Sequence, residues 1–189
     1  MATGFLKFLL TIFYPVIIYY ALNFFSPRVV GLIVLVTLFI KHYHQTQGLW
    51  SGLAKPQKWV FYILVLFSLN ISFFNSELLL KLFPAFVSLS MLFLFSYTLF
   101  YPPSMIERFA RLSKKELPST AIFYTRKVTY IWCGFFIINI NFSLITVFCF
   151  SKKYWLIYNG FVSYLLMGLL MGGEWIYRYW RLPESRNNK

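Results

Sequence analysis

Apolar residues along this chain fall into six long blocks separated by short polar connectors. A helix needs about 20 residues to cross about 30 Å of hydrocarbon, and most of the blocks approach that length with almost no charge. The pattern predicts an all-α, polytopic helical membrane bundle of about six transmembrane helices in one integral-membrane domain over residues 1–189. It leaves open whether the first two segments fully span. The predicted segments are Phe5–Phe25, Val29–Ile40, Trp59–Phe74, Leu82–Phe100, Val128–Phe150 and Trp155–Tyr179.

The connector Tyr101–Thr120 is polar for much longer than the others. Ser104 stands three residues before Glu107, which is the spacing of a capping box, and Pro118 stops a helix from continuing. We predict a short amphipathic helix near 103–115 that lies flat on the cytoplasmic leaflet with its charged side toward the headgroups. The alternative is a solvated loop. The apolar arc would hold Met105, Ile106, Phe109, Ala110 and Leu112, and the charged arc Glu107, Arg108, Arg111, Lys114 and Lys115.

The distribution of charge predicts an orientation. The chain has 18 Lys and Arg side chains against 5 acidic ones, all of them Glu. In the six-span arrangement 14 of the 18 fall on one side, which by the positive-inside rule places both termini in the cytoplasm. A cationic side of this kind attracts anionic phospholipids, so we predict no nucleic-acid partner. The four cations on the other side are Arg28, Lys81, Lys152 and Lys153.

A stripe of mostly polar residues runs along the fifth segment, at alternating spacings of three and four. Such spacing places them on one face of a helix, and polar groups in a span rarely face lipid. The stripe is therefore expected to face the bundle or a cavity, either as interhelical hydrogen-bonding groups or as the lining of a lipid or acyl-chain groove. Its members are Thr125, Thr129, Trp132, Phe136, Asn139, Ser143 and Thr146.

The sixth segment carries a second polar set, Asn159, Ser163, Glu174 and Arg178, within an arc of about 100°. Glu174 is the acidic residue expected deepest in the membrane, and an ionisable group there is a functional candidate. The alternative is that it only pairs with Arg178 or Arg126 at the interface. Two glycines four residues apart, Gly168 and Gly172, predict a face for close helix packing.

Catalytic signals are weak. Asp is absent, which disfavours phosphotransfer that depends on Asp clusters, and His42 and His44 diverge on a helix with no third metal ligand nearby. Cys133 and Cys149 fall on nearly opposite faces of one helix and are not expected to pair. The sequence predicts no catalytic residue, no metal and no cofactor.

Three segments carry a family resemblance. They are YTRKVTYIWCGFFIIN at Tyr124–Asn139, WLIYNGFVSYLLMG at Trp155–Gly168 and EWIYR at Glu174–Arg178. They resemble a family of small bacterial inner-membrane proteins often named "ketosynthase" because its genes neighbour those of fatty-acid and aryl-polyene synthesis. Ketosynthases themselves are soluble thiolase-fold enzymes, and no such domain is encoded in this chain.

More distantly, the layout is similar to the intracellular septation protein A family. The basic loop Pro103–Arg108 and the Tyr177–Arg178 ending of the last span carry that similarity. It implies a role in envelope maintenance or division through contacts with other membrane proteins. Neither family supplies catalytic residues that could be carried over to this chain.

These observations predict a non-enzymatic inner-membrane protein that supports cell-envelope lipid or acyl-chain biogenesis. It would bind anionic phospholipids, or recruit acyl carrier protein and the enzymes linked to it, because acyl carrier proteins are acidic. The alternatives are a lipid or small-molecule transporter, a scaffold for septation or envelope complexes, and an acyl-transfer enzyme that uses His42 or Glu174. The predicted lipid-binding or partner-binding residues are Arg108, Arg111, Lys114, Lys115, Arg126 and Lys127.

Overall fold

The computed structural model describes residues 25–46, 56–113 and 116–181, and all regular structure in these ranges is helical. The all-α prediction is confirmed. The first predicted segment lies almost wholly outside the described residues. A π-helical turn, Tyr158–Val162, joins the last two helices without a break. The helices are α1 Pro27–Thr46, α2 Pro56–Phe74, α3 Glu77–Phe100, α4 Met105–Ser113, α5 Ser119–Cys149, α6 Lys152–Ile157 and α7 Ser163–Arg181.

Among the described residues, three helices are long and apolar enough to cross a membrane: Glu77–Phe100, Ser119–Cys149 and Lys152–Arg178. The last of these comprises α6, the π turn and most of α7. The apolar stretches of α1 and α2 are shorter, Pro27–Ile40 and Lys58–Phe74. Helix α5 begins well before the predicted Val128, because Pro118 precedes its first turn and polar residues continue the helix beyond the apolar block.

A tight turn reverses the chain between α2 and α3. Asn75 adopts a positive φ of 47°, which Asn tolerates better than most residues. Ser76 then caps α3, its Oγ accepting a hydrogen bond from the Leu79 N–H at 3.4 Å. The start of α1 lies beside this turn: the Arg28 N–H donates to Asn75 Oδ1 at 3.0 Å, and Arg28 Nε donates to the Ser72 carbonyl at 3.1 Å.

The core lies chiefly between α3 and α5, which make the most extensive contact in the described residues. Phe95 from α3 packs edge-to-face on Phe136 of α5, with ring centroids 5.2 Å apart, and lies against Trp132 at 6.1 Å. Trp155 at the start of α6 donates its indole N–H to the Lys81 carbonyl near the start of α3 at 3.0 Å. These contacts fix three helices around one apolar interior.

Charged residues separate to the two ends of these helices. At one end, the carboxylate of Glu77 lies 3.0 Å from Lys81 Nζ and 3.9 Å from Lys152 Nζ. The opposite end, where α3 finishes and α5 begins, holds α4 together with Arg126 and Lys127. We call this second end the basic end; it comprises α4, the residues 99–103 that lead into it, and the first turns of α5.

Candidate functional site

The polar stripe of α5 faces the interior of the protein. All seven of its predicted members are buried, as expected for a stripe that faces the bundle or a cavity. The Thr125, Thr129 and Thr146 hydroxyls donate to carbonyls of their own helix at 2.9, 2.8 and 2.7 Å. These three threonines thus satisfy their hydrogens locally, as hydroxyls inside helices often do.

Asn139 links three elements. Its Nδ2 donates to Ser88 Oγ of α3 at 2.9 Å, and its Oδ1 accepts a hydrogen bond from the Tyr158 hydroxyl at 3.0 Å. Donor and acceptor of the amide are therefore both used between helices. The sequence pattern marked Asn139 but missed Ser88 and Tyr158, because spacing within one helix does not show which residues of the other helices meet it.

Asn159 lies in the π turn and makes a second set of bonds to α5. Its Oδ1 accepts from Ser143 Oγ at 2.7 Å, while its Nδ2 donates to Thr146 Oγ1 at 3.1 Å and to the Trp155 carbonyl at 3.0 Å. A π turn accommodates an extra residue in the helix and often occurs at functional sites. Here it presents Asn159 to α5, and Ser163 is buried one turn later. We call Ser88, Asn139, Ser143, Thr146, Tyr158 and Asn159 the polar core.

Glu174 is held near the basic end. The Tyr124 hydroxyl donates to Glu174 Oε1 at 3.2 Å, and Arg178 Nε lies 3.9 Å from the same oxygen. Of the two predicted pairings, the structure contains the one with Arg178. Arg126 instead donates from its terminal nitrogen to the Leu99 carbonyl at 3.4 Å.

The prediction that Gly168 and Gly172 form a close-packing face is wrong for the described residues. A Cβ built on either glycine meets no atom within 4 Å. The reason is that α7 lies at the outside of the described helices. In the most apolar stretch of the continuous helix 152–178 only 11% of the residues are buried, against 33% in the corresponding stretches of α3 and α5. The motif permits close packing, but the described helices do not approach it.

At the basic end, α4 docks onto the bundle by its first turn. Ser104, Met105 and Glu107 are all buried. The placement of Glu107 on an exposed charged arc is therefore wrong, since the residue is only 5% exposed. Its burial is possible because Arg111 donates to Glu107 Oε1 from Nε at 2.9 Å and from a terminal nitrogen at 2.7 Å.

Half of the predicted capping box is present. The Ser104 N–H donates to Glu107 Oε2 at 3.4 Å, whereas the buried Ser104 Oγ has no hydrogen-bond partner among the described residues. The Ile106 N–H donates to Thr129 Oγ1 of α5 at 3.4 Å. Met105 belongs to the apolar core and Phe109 packs against it. The first part of the apolar arc therefore contacts protein, while Leu112 is exposed.

Two arginines of the basic end bind backbone carbonyls. Arg108 donates from Nε to the Pro103 carbonyl at 2.8 Å and from a terminal nitrogen to the Tyr101 carbonyl at 3.4 Å. Arg126 donates to the Leu99 carbonyl, so the guanidinium groups of Arg108 and Arg126 both lie at the C-terminus of α3. This is the negative end of the helix dipole. Burial lowers the pKa of Arg108 from its ordinary value, but that value is so far above neutrality that the side chain stays cationic.

The remaining predicted cations of this end are only partly described. Lys127 Nζ lies 4.6 Å from the centroid of the Phe123 ring, a cation–π contact. Lys114 and Lys115 lie outside the described residues. The predicted basic set is thus represented by Arg108, Arg111, Arg126 and Lys127, of which Arg111 serves the buried Glu107.

No family model, no curated protein and no solved structure matches the chain.

Proposed function

We propose that this chain is a multi-pass protein of the bacterial inner membrane, with both termini in the cytoplasm, that supports cell-envelope lipid or acyl-chain biogenesis without catalysis of its own. In this proposal its basic end faces the cytoplasm. There it binds anionic phospholipids, or recruits acyl carrier protein and its associated enzymes. The chemistry it offers is electrostatic: fixed positive charge beside the membrane surface.

One observation carries the proposal. Arg108, Arg126 and Lys127 contact carbonyl groups and an aromatic ring, and none of the three forms an ion pair with a carboxylate of the described residues. At the opposite end, Lys81 and Lys152 share the carboxylate of Glu77. Although Arg111 pairs with Glu107 and Arg178 with Glu174 at the basic end, Arg108, Arg126 and Lys127 keep their positive charge available for an external anion.

The distribution of cations supports the orientation. The positive-inside rule counts Lys and Arg in short connectors, and in the six-span arrangement 14 of the 18 fall on the side of the basic end. An arrangement with α3, α5 and the continuous helix 152–178 as spans places the two sets of cations on opposite sides of one bilayer. The additional spans of the six-span arrangement would come from the first apolar segment, α1 and α2.

The polar core supports a structural role for the intramembrane residues. A transport path needs polar groups that face an open cavity, whereas the amides of Asn139 and Asn159 bond to side chains of the neighbouring elements. Bonds of this kind hold helices in register within a membrane. Glu174 is likewise engaged, by Tyr124 and Arg178, which favours a positioning role over acid–base chemistry.

The biological setting of the proposal comes from the family resemblance of Tyr124–Asn139, Trp155–Gly168 and Glu174–Arg178. A neighbourhood of acyl-chain synthesis is compatible with a cationic membrane platform, since acyl carrier proteins and phospholipid headgroups are both anionic.

The proposal is tested by purifying the full chain from bacterial membranes and identifying the lipids and proteins that remain bound by mass spectrometry. We expect enrichment of anionic phospholipid, or of an acyl-carrier-linked protein, over the bulk membrane. The double variant Arg126→Glu, Lys127→Glu should lose this enrichment. The matched control Lys152→Glu, Lys153→Glu reverses the same number of charges at the other end and should keep it. Wild-type protein that enriches neither class would refute the proposal.

A further inference from the structure

We propose that Arg108 and Arg126 together form a binding site for the phosphate group of an anionic phospholipid. This inference rests on the proposed function, and it names the residues and the ligand group that would carry it. The site lies where α3 ends and the chain turns into α4.

The two guanidinium groups converge on one short stretch of backbone. Arg126 reaches the Leu99 carbonyl from α5, and Arg108 reaches the carbonyls of Tyr101 and Pro103 from α4. Because Leu99 and Tyr101 are two residues apart, their carbonyls are separated by no more than about 7 Å. Arginines that are distant in sequence are thus brought to a common point by the docking of α4 on α5.

Each arginine keeps donors for a ligand. A guanidinium has five N–H groups. In each of the two arginines one terminal nitrogen makes a hydrogen bond, and both of these bonds are long, at 3.4 Å. Bonds of that length are weak and readily exchanged for stronger ones. The 2.8 Å bond from Arg108 Nε to the Pro103 carbonyl anchors the side chain and leaves the outer edge of the guanidinium available. Arginine binds phosphate oxygens through parallel N–H donors, which a lysine cannot do.

No described carboxylate forms an ion pair with these two arginines. Glu107, adjacent to Arg108 in sequence, is buried and bonded to Arg111. Glu174 is bonded to Tyr124 and lies beside Arg178. The two guanidinium groups are therefore available to pair with an anion from outside the described part of the chain.

The surroundings favour a lipid over a free phosphate ion. Phe100 and Tyr101, which follow Leu99, are 80% and 61% exposed, and Phe123, three residues before Arg126, is 63% exposed. Exposed aromatic rings at the end of an apolar helix are typical of the membrane interface, where acyl chains can lie against them. A phosphate held by the arginines would place its acyl chains along this aromatic surface.

The test is a titration of the purified full chain in detergent with phosphatidylglycerol, followed by native mass spectrometry. Zwitterionic phosphatidylethanolamine is the comparison lipid. We expect wild-type protein to prefer phosphatidylglycerol, and Arg126→Gln to weaken its binding at least about tenfold, as the loss of a charge-assisted bond implies. Arg126 is exposed and makes one long bond, so this variant is expected to keep the fold. Arg108→Lys keeps the charge but loses the parallel donors, and it should weaken binding severalfold.

The controls separate failure of the site from failure of the proposed function. Lys152→Gln removes a cation at the other end and should bind phosphatidylglycerol like the wild type. If Arg126→Gln and Arg108→Lys also bind like the wild type while Lys127→Glu does not, the site is wrong and a lipid-binding basic end remains. If the wild type shows no preference for the anionic lipid, both this site and the lipid-binding part of the proposed function fail. Displacement of the lipid by millimolar inorganic phosphate would overturn the assignment to a lipid.

Discussion

At the scale of single residues, the polar core places amides and hydroxyls where no water is available to bond them. A buried polar group without a partner costs roughly 1–3 kcal/mol, so each such residue is tolerable only if its neighbours satisfy it. Asn139 meets this condition through Ser88 and Tyr158, and Asn159 through Ser143 and Thr146. The pairs depend on one another, since removal of one member leaves the other unsatisfied.

Replacement of Asn139 by alanine should therefore destabilise the protein. The variant Asn139→Ala removes two interhelical bonds and leaves Ser88 Oγ and the Tyr158 hydroxyl without that partner. Interhelical bonds in membranes average about 0.6 kcal/mol, so we expect the unfolding free energy to fall by about 1–3 kcal/mol once the vacated space is included. Unfolding in mixed micelles followed by circular dichroism measures the change.

Asn141 provides the matched control. It lies on the same helix, is exposed, and donates only to the Ile137 carbonyl of its own helix at 2.8 Å. Asn141→Ala should leave the unfolding free energy within about 0.5 kcal/mol of the wild type. Equal effects of the two variants would show that Asn139 does not hold the helices together.

The buried carboxylate of Glu107 should hold α4 in place. Glu107→Ala removes the acceptor of both Arg111 bonds and of the Ser104 N–H, and leaves the Arg111 guanidinium without that acceptor. We expect the amides of Met105–Ser113 to exchange hydrogen at least tenfold faster, while α5 keeps its protection. Hydrogen-exchange mass spectrometry on the purified chain resolves the two helices. The exposed Glu116 supplies the control Glu116→Ala, and equal exchange in both variants would contradict the role of Glu107.

At the scale of helices, the contact of α1 with α2 depends on a glycine. A Cβ on Gly31 would clash with Ser72 Oγ and lie 3.1 Å from the Ser68 carbonyl oxygen. The Ser72 hydroxyl is itself bonded to that carbonyl at 3.1 Å, so it cannot move away without losing its partner. Small residues allow helix backbones to approach closely in membranes, where van der Waals contact drives association.

Gly31→Ala should force α1 away from α2 and lower the melting temperature in detergent by several degrees, consistent with a loss of about 1–3 kcal/mol from overpacking. Gly134→Ala is the control, because a Cβ there meets no atom within 4 Å and alanine is the better helix former. We expect Gly134→Ala to leave the melting temperature unchanged or to raise it. A Gly31→Ala protein as stable as the wild type would show that the two helices can separate without cost.

The sequence predicts which face of a helix is buried better than it predicts the contacts between helices. The buried face of α5 was predictable because spacings of three and four report directly which side of a helix is sheltered. Glu107 was misplaced because its burial depends on Arg111 and on contacts with α5, which a helical wheel does not contain. Gly168 and Gly172 were assigned a packing face that the described helices do not cover. The π turn and the partners of Asn139 could not be predicted from the spacing of residues, because that spacing reports only which face of one helix is sheltered.

At the scale of the whole molecule, the ends of the helices differ in how their charges are satisfied. Lys81 and Lys152 share the carboxylate of Glu77, whereas at the basic end Arg111 takes the carboxylate of Glu107 and Arg108 and Arg126 bind carbonyls at the end of α3. The helix dipole and the surrounding carbonyls hold these cations in place, but carbonyls do not cancel a full charge. In the six-span arrangement, in which 14 of the 18 Lys and Arg fall on the side of the basic end, the connectors on the two sides of the membrane differ in charge. A membrane protein with such a difference has a preferred orientation, because cationic connectors are retained on the cytoplasmic side.

Lys127 and Lys153 allow that orientation to be measured. Both side chains are exposed, and they lie at the beginnings of α5 and α6, at opposite ends of the long helices. In a chain carrying Cys149→Ala, the buried Cys133 can remain as it is. A membrane-impermeant maleimide should label Lys153→Cys in intact spheroplasts, and should label Lys127→Cys only after the inner membrane is permeabilised. Labelling of both from the outside would mean that α5 does not cross the bilayer, and the reverse pattern would turn the basic end toward the periplasm. Either result would contradict a basic end that faces the cytoplasm, where binding of lipid or acyl carrier protein is proposed. This measurement therefore decides whether the basic end and its proposed ligands are on the same side of the membrane.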